Sequence, residues 1–364
     1  MEFSYIIQIF IGFIGLVLIA IPFSSNRKII NYRHIISAIL FQLFLAFILI
    51  KVPVITNLFS YLADAVAALQ IATGKGTEFV FGYIGGGTLP FDLAQKGSAL
   101  IFAFSILPFI IVMSSITAAL WYWGILPFIV NIFSKICQRL FNIGGPIGLG
   151  AAANVIVGQV EAPLLIRPYL SKLSNKELLI LMTAGMSTVA GSIMVALVSM
   201  LQLQFNDLNL IQHFLTASIL SVPAAILFAN ILMPSNEVTD FEGDETPKIY
   251  ENTMDAITRG TRDGTDIAIG VGSILIVFIA LVYLVDSILG IFSIGNQALS
   301  LQMILGYIFA PIAWLMGIPW EEAIVSGKLL GIKTALNEFV AYAELANLQD
   351  GLISDKSKLI TLYG

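Results

Sequence analysis

The sequence predicts an all-α, polytopic membrane protein that combines ordinary spans with broken, re-entrant helices. Three observations carry that reading. The chain of 364 residues is 58% hydrophobic and 11% charged, and its mean hydropathy is +0.92; a soluble domain carries about 25% charged residues. Six stretches are apolar for long enough to cross a bilayer, which takes roughly 20 residues. Two further segments, 144–166 and 301–349, mix glycine, proline and polar residues into apolar sequence.

The spans run approximately 4–23, 35–54, 98–122, 178–203, 212–233 and 264–290. The first begins without a basic leader or a small-residue cleavage site and reads as a retained helix. Arg27, Lys28 and Arg33 follow the first span, and Lys135 and Arg139 follow the third. Lys248, Arg259 and Arg262 lie in 234–263, whereas 204–211 and 291–300 hold no basic residue and the loop 55–97 holds only Lys75 and Lys96. The positive-inside rule then puts the N-terminus outside and 24–34, 124–143 and 234–263 in the cytoplasm. Residues 125–143 are amphipathic, with Lys135, Gln138 and Arg139 on a polar side, and read as an interfacial helix. The acidic stretch 235–263 reads as a solvated loop. Gly85-Gly86-Gly87 reads as a turn; no Lys-Ser/Thr follows it, so it is no phosphate loop.

Segment 144–166 has basic residues on both flanks, Lys135 and Arg139 before it and Arg167, Lys172 and Lys176 after it. Both flanks read as cytoplasmic, so the segment enters and leaves by one face. Gly144, Gly145, Pro146, Gly148, Gly150, Gly158 and Pro163 interrupt any continuous helix. A re-entrant hairpin is tolerated where protein or a wet cavity satisfies its backbone; a kinked seventh span is the plainer alternative. Segment 301–349 is divided by Pro311, Gly317, Pro319, Gly327 and Gly331 and carries Glu321, Glu322, Lys333 and Glu338. It reads as a second hairpin followed by an interrupted span. Paired interruptions of this kind point to a transport site near the midplane.

The runs Gly158-Gln159-Val160-Glu161-Ala162-Pro163 and Asn337-Glu338-Phe339-Val340-Ala341-Tyr342 each place a carboxylate and an amide in apolar sequence. An ionised group at mid-bilayer costs roughly 2.5–3.5 kcal/mol, so the two runs read as halves of one buried polar site. Gln159 and Asn337 offer donors and acceptors, and Glu161 and Glu338 offer acceptors. That set suits a neutral ligand with hydroxyls and a polar ring, and repels an anion. The structural alternative pairs either carboxylate with Arg167 or Lys333. Asn154 and Thr188 form a second pair: an amide oxygen, and a hydroxyl within the small-residue run 185–192. With unwound carbonyls they would complete a Na⁺ shell; close helix contact is the alternative use of small residues. Nucleic-acid binding has no basic stripe to support it. The single cysteine, Cys137, excludes an intrachain disulfide and a Cys-rich metal site. His34 and His213 lack metal-ligand spacing.

The runs Gly158 to Tyr169 and Gly331 to Tyr342 closely resemble the two signature motifs of the concentrative nucleoside transporters. Asn26-Arg27-Lys28 and Gly306-Tyr307-Ile308-Phe309-Ala310-Pro311 are similar to that family too, and the likeness extends from the first span to the last residue. The resemblance implies a homotrimer in the bacterial inner membrane. Each protomer would hold scaffold helices and a transport domain with two re-entrant helical hairpins and interrupted helices in inverted repeat. The implied divisions are scaffold helices in 1–123, a first transport half in 124–233, a loop and long scaffold helix in 234–290, and a second transport half in 291–364.

The same resemblance implies substrate contacts from Gln159, Val160, Glu161, Ile193, Asn337 and Glu338. Gln159 and Glu161 would bond the base, and Glu338, in an interrupted helix, the ribose hydroxyls. Asn154, Thr183, Thr188 and carbonyls near Val189 would hold Na⁺, with proton coupling as the alternative. The expected activity is cation-coupled nucleoside import by alternating access, with no cofactor and no bond chemistry. The rivals are an intramembrane enzyme with Glu161 and Glu338 as acid and base, and a non-transporting remnant. Two departures stand out. Val160 occupies a position where most relatives carry Ser or Thr, which removes a polar contact near the base. Leu362-Tyr363-Gly364 reaches the start of the family's last helix, where relatives continue with Asn and Ser ribose contacts. On this reading the chain is a fragment, a truncated product or a degenerate copy.

Overall fold

The computed structural model of the protein describes residues 2–30, 32–91, 101–141, 143–156, 158–159, 162–201, 205, 209–235, 237–239, 249–294, 297–349 and 351–364; for residues 2–6, 33, 34, 164, 168, 192, 294 and 297 the description stops at the backbone. Helices α1 (Glu2–Ala20), α2 (Tyr32–Lys51), α3 (Pro53–Phe81), α4 (Phe102–Ser105), α5 (Leu107–Tyr122) and α6 (Ile125–Phe141) come first. Then follow α7 (Gly145–Asn154), α8 (Ala162–Leu165), α9 (Asn175–Ser187), α10 (Gly191–Leu201), α11 (Leu210–Leu232) and α12 (Thr253–Leu289). A two-residue antiparallel pair, β1 (Ser293–Ile294) with β2 (Gln297–Ala298), precedes α13 (Leu301–Leu315), α14 (Trp320–Ala335), α15 (Glu338–Ala346) and α16 (Asp355–Tyr363).

Each expected span is helical where described, with two corrections and one expected break. The supposed loop 55–97 contains α3, a helix of 29 residues. Its apolar residues are diluted by Asp64, Lys75, Glu78 and two glycines, which depresses local hydropathy without ending the helix. Pro53–Gly85 is itself long and apolar enough to cross a membrane, so the loop reading leaves out a candidate span. The fourth span is two helices, α9 and α10, separated at Thr188–Ala190. The connection before the sixth span is shorter than expected, because α12 starts at Thr253. Asn252 accepts from the Asp255 N–H, and Asp255 pairs with Arg259 one turn on at 2.8 Å. At 37 residues α12 is about 55 Å long, so its first turns project beyond a hydrocarbon core of about 30 Å.

Packing divides the chain into two compact units. The larger comprises Ala20–Ala196 and Asn209–Ala268. There α6 buries Leu126, Val130, Ser134, Cys137 and Phe141 along one face and exposes Lys135 and Arg139, as its amphipathic pattern predicts. Burial pushes the Cys137 thiol up to about 12. Helix α12 meets α5 through Gly260 and Gly264; a Cβ on either would lie 2.8 or 2.7 Å from backbone atoms of Ser115 or Ile111. Lipid supplies no hydrophobic drive between helices, so backbone approach at small residues does that work. Pro223 loosens the middle of α11, and Gln42 of α2 donates to the Leu220 carbonyl there at 3.2 Å.

One junction in this unit is ionic. Glu177, in the first turn of α9, is 1% exposed. Its carboxylate accepts from the N–H and hydroxyl of Thr239 and from the N–H and hydroxyl of Ser174, at 2.8 to 2.9 Å. Burial works to raise its pKa, but these hydrogen bonds outweigh burial and hold it below the ordinary carboxylate value. Lys176 beside it donates to the Ser235 carbonyl at 2.7 Å. Gly144 lies against both Thr239 and Glu177, so the start of α7, the start of α9 and the segment after α11 are pinned at one point.

The second unit comprises Met1–Ile19, Leu197–Leu208 and Ile269–Gly364. Helices α13 and α14 bend by 116° across a short break and pack through glycine. A Cβ on Gly327 would lie 2.7 Å from the Ala310 nitrogen and the Gly306 carbonyl oxygen. Helix α1 holds the bend: Gln8 Nε2 donates to the carbonyls of Trp314 at 2.8 Å and Ile318 at 3.0 Å. One turn on, Gly12 sits against the Leu315 carbonyl with no room for a Cβ. Helices α14 and α15 fold back on each other, since Lys333 meets Tyr342 and Lys328 meets Glu344. Asn337 and Glu338 therefore lie at the turn of a helical hairpin, not in an interrupted straight helix.

Candidate functional site

In the larger unit the end of α7 meets the break between α9 and α10. Asn154, the last residue of α7, is 0% exposed. Its Nδ2 donates to the Leu181 carbonyl at 3.4 Å, while no donor among the described residues reaches its Oδ1. Thr188 ends α9 in extended conformation, which frees the carbonyls of the preceding turn. Its hydroxyl lies 2.8 Å from the Ala184 carbonyl and 3.1 Å from the Asn154 carbonyl. One hydroxyl proton satisfies one of these oxygens at a time. The Asn154 Oδ1, two carbonyls and a hydroxyl oxygen thus make a buried acceptor-rich cluster with too few protons. A hard cation without geometric demands relieves that imbalance.

The tip after α7 is fastened to the same break. Gly191 N–H donates to the Ile156 carbonyl at 2.9 Å. Gly158 has φ +94°, a conformation glycine adopts without strain, and its missing Cβ leaves room for Ala190. Gln159, exposed at the tip, passes over Gly185: a Cβ on Gly185 would lie 2.8 Å from Gln159 Cβ and 3.4 Å from Asn154 Oδ1. Val189 N–H, left open by the break, donates to Ser218 Oγ of α11 at 3.1 Å.

Of the residues singled out in the sequence, the structure brings Asn154, Gln159, Thr188 and Val189 to this tip and break. Thr183 is half-buried on α9, and Ile193 is half-buried in the first turn of α10. Val160 and Glu161 lie outside the described residues. In the other unit, Asn337 caps α15 by accepting the Val340 N–H at 3.0 Å. Glu338 is half-buried in the first turn of α15. Lys333, the proposed partner for Glu338, instead donates to Tyr342 at 3.2 Å. Sequence reasoning missed Ser218, and it read Gly185 only as part of a small-residue run without its contact to Gln159. Their only signals are a glycine inside a span and one of the two serines of apolar α11, both ordinary in membrane helices.

Broken helices with polar tips in an apolar, largely helical chain are the pattern of membrane transporters. Three family models match along its length: the Na⁺-dependent nucleoside transporter N-terminus over residues 11–84, a nucleoside-recognition gate over 103–204, and the Na⁺-dependent nucleoside transporter C-terminus over 213–364. The nucleoside permease NupC of Helicobacter pylori is 33% identical across all of this chain and 86% of its own length. Mouse sodium/nucleoside cotransporter 1 is 30% identical over 89% of this chain and 48% of its own. CNTnw in an inward-facing, substrate-bound state is 31% identical, with TM-score 0.86 over 98% of this chain and 84% of that one. An outward-facing variant of CNTnw matches at 30% identity and TM-score 0.87. The chain belongs to the concentrative nucleoside transporter family, whose members here are permeases and cotransporters.

Proposed function

We propose that the protein is a Na⁺-coupled symporter that imports nucleosides across the bacterial inner membrane by alternating access, as a homotrimer. The observation that carries the ion assignment is the buried Asn154 Oδ1 without a donor, beside a Thr188 hydroxyl faced by two carbonyls. Likeness to a nucleoside permease of Helicobacter pylori and to a sodium/nucleoside cotransporter of the mouse supports the substrate class.

On this reading Asn154, Thr188 and the carbonyls at the α9–α10 break hold the ion, with Thr183 and Val189 alongside. The ion neutralises the acceptor cluster and orders the tip that carries Gln159. Gln159 and Glu161 then bond the base, with Val160 and Ile193 as apolar walls, and Asn337 and Glu338 bond the ribose. The two hairpins are re-entrant, and 124–233 and 291–364 supply the mobile halves. A potential of about 100 mV contributes roughly 2.3 kcal/mol per charge moved, or near fifty-fold accumulation.

The test is uptake of labelled uridine by proteoliposomes holding the purified protein. An inward sodium gradient should drive accumulation that choline at constant pH does not. Uptake that follows a proton gradient and ignores sodium would reject sodium coupling, and no uptake under either gradient would reject transport.

A further inference from the structure

A lysine one turn before the second hairpin's tip and a tyrosine one turn after it are joined. Lys333 Nζ donates to Tyr342 Oη at 3.2 Å, and Tyr342 in turn donates to the Leu362 carbonyl of α16 at 3.0 Å. The ammonium lies 5.1 Å from the ring centroid, so it sits at the phenol's oxygen edge and not over its face. A cation on the oxygen polarises the hydroxyl and strengthens its donation onward. Tyr342 is buried and Lys333 half-buried, which protects both bonds from competing water. Between the two residues lie only 334–341, including the Leu336-Asn337 turn and Glu338.

Lower on the same hairpin, Lys328 and Glu344 pair at 3.3 Å. Those two side chains are 33% and 38% exposed, so water competes for the pair. The pair near the tip stands nearer the N-cap of α15 and continues through the buried Tyr342 to α16. We infer that Lys333 is a positioning residue: through Tyr342 it bolts α14 to α15 and α16, and so sets the orientation of Asn337 and Glu338 toward the nucleoside ribose. This rests on the transport reading above. It assigns Lys333 no contact with substrate and no part in holding the ion.

The experiment compares wild type, Lys333→Met, Lys333→Arg, Tyr342→Phe and the Met/Phe double variant in proteoliposomes at matched amounts of folded protein. Initial uridine uptake is read against uridine and against sodium. Loss of a charge-assisted hydrogen bond that orders the binding tip should raise the uridine KM about tenfold. The maximal rate and the sodium half-saturation should change less than about threefold, and the double variant should resemble the worse single one, as residues in one network do. Lys333→Arg should recover most of the affinity. Unchanged KM in both single variants, additive effects, or a parallel shift in sodium dependence would overturn the inference. If Lys333→Met does not fold, Tyr342→Phe, which removes one oxygen, carries the test alone. A wild type that takes up no uridine would instead fail the transport reading itself.

Discussion

Gly185→Ala is the sharpest perturbation of the proposed site, because its two effects have opposite signs. Gly185 lies inside α9, where alanine favours the helix by about 1 kcal/mol over glycine. The added methyl, however, would sit 2.8 Å from Gln159 Cβ and 3.3 Å from its Cα. Carbon atoms rest at about 3.5–4.0 Å, so the tip must retreat by about 1 Å. The Gln159 atoms involved are at the base of its side chain, and no rotamer change removes the overlap. A shift of about that size can lower a positioned reaction by about 100-fold. Gly185→Ala should therefore keep a melting temperature near wild type while uridine uptake falls about 10- to 100-fold. Gly74→Ala on α3, where nothing lies within 4 Å, is the matched control and should transport normally. Uptake by Gly185→Ala within about twofold of wild type would refute the contact between tip and break as a functional element. So would a loss of uptake that merely tracks a loss of folded protein.

Asn154→Ala removes the orphaned acceptor and should raise the sodium concentration for half-maximal uptake at least about tenfold; an unchanged sodium titration refutes its place in the ion shell. Gln8→Leu deprives two carbonyls of their donor at the α13–α14 bend. It should cost about 1–3 kcal/mol, read as a lower melting temperature in detergent, and no loss would show the amide to be incidental. Glu177 has a depressed folded pKa, so its stabilisation is full above the unfolded value of about 4.3 and fades as pH falls through the folded one. The stability gap between wild type and Glu177→Gln should then be constant from pH 8 to about 5 and close below about 4; a gap that widens in acid would reverse the argument.

The long elements were legible because apolar runs ended by breakers need no tertiary information. The break at Thr188 was legible for the same reason: Gly185, Ala190 and Gly191 cluster around it. Helix α3 was not, because Asp64, Lys75, Glu78 and two glycines scattered through its apolar residues read as a polar loop. The hairpin turn at Leu336-Asn337 was missed for a different reason. Asn337 is a good N-cap, but a cap marks a helix start equally well after a turn and after a kink. Only the pairing of Lys333 with Tyr342 and Lys328 with Glu344 decides the direction. The amides Gln8 and Gln42 gave no signal, since a glutamine in an apolar helix has no pattern until the carbonyls at a bend or beside Pro223 are found facing it.

An ionisable residue in a membrane chain is by default a candidate ligand, yet Glu177 and Glu322 show how that default goes astray. Each sits at the third position of its helix, in α9 and α14. Glu177 takes the N–H and hydroxyl of Thr239, and Glu322 takes the N–H and hydroxyl of Ser354, from far along the chain. Both carboxylates are fasteners that tie a helix start to a later segment, and two donated bonds to an anion are each worth about 1.5–3 kcal/mol. Glu338 differs in position. It is the first residue of α15, with Asn337 already accepting the N–H that a first-turn acid would otherwise seek. Its carboxylate is thereby left to the helix's positive end and to whatever approaches the tip. Glu322→Gln should accordingly lower thermal stability and leave the uridine KM within about twofold, whereas Glu338→Gln should raise KM about tenfold or more with stability intact. Equal KM shifts in the two variants would mean that position within the helix does not separate fastener from ligand in this fold.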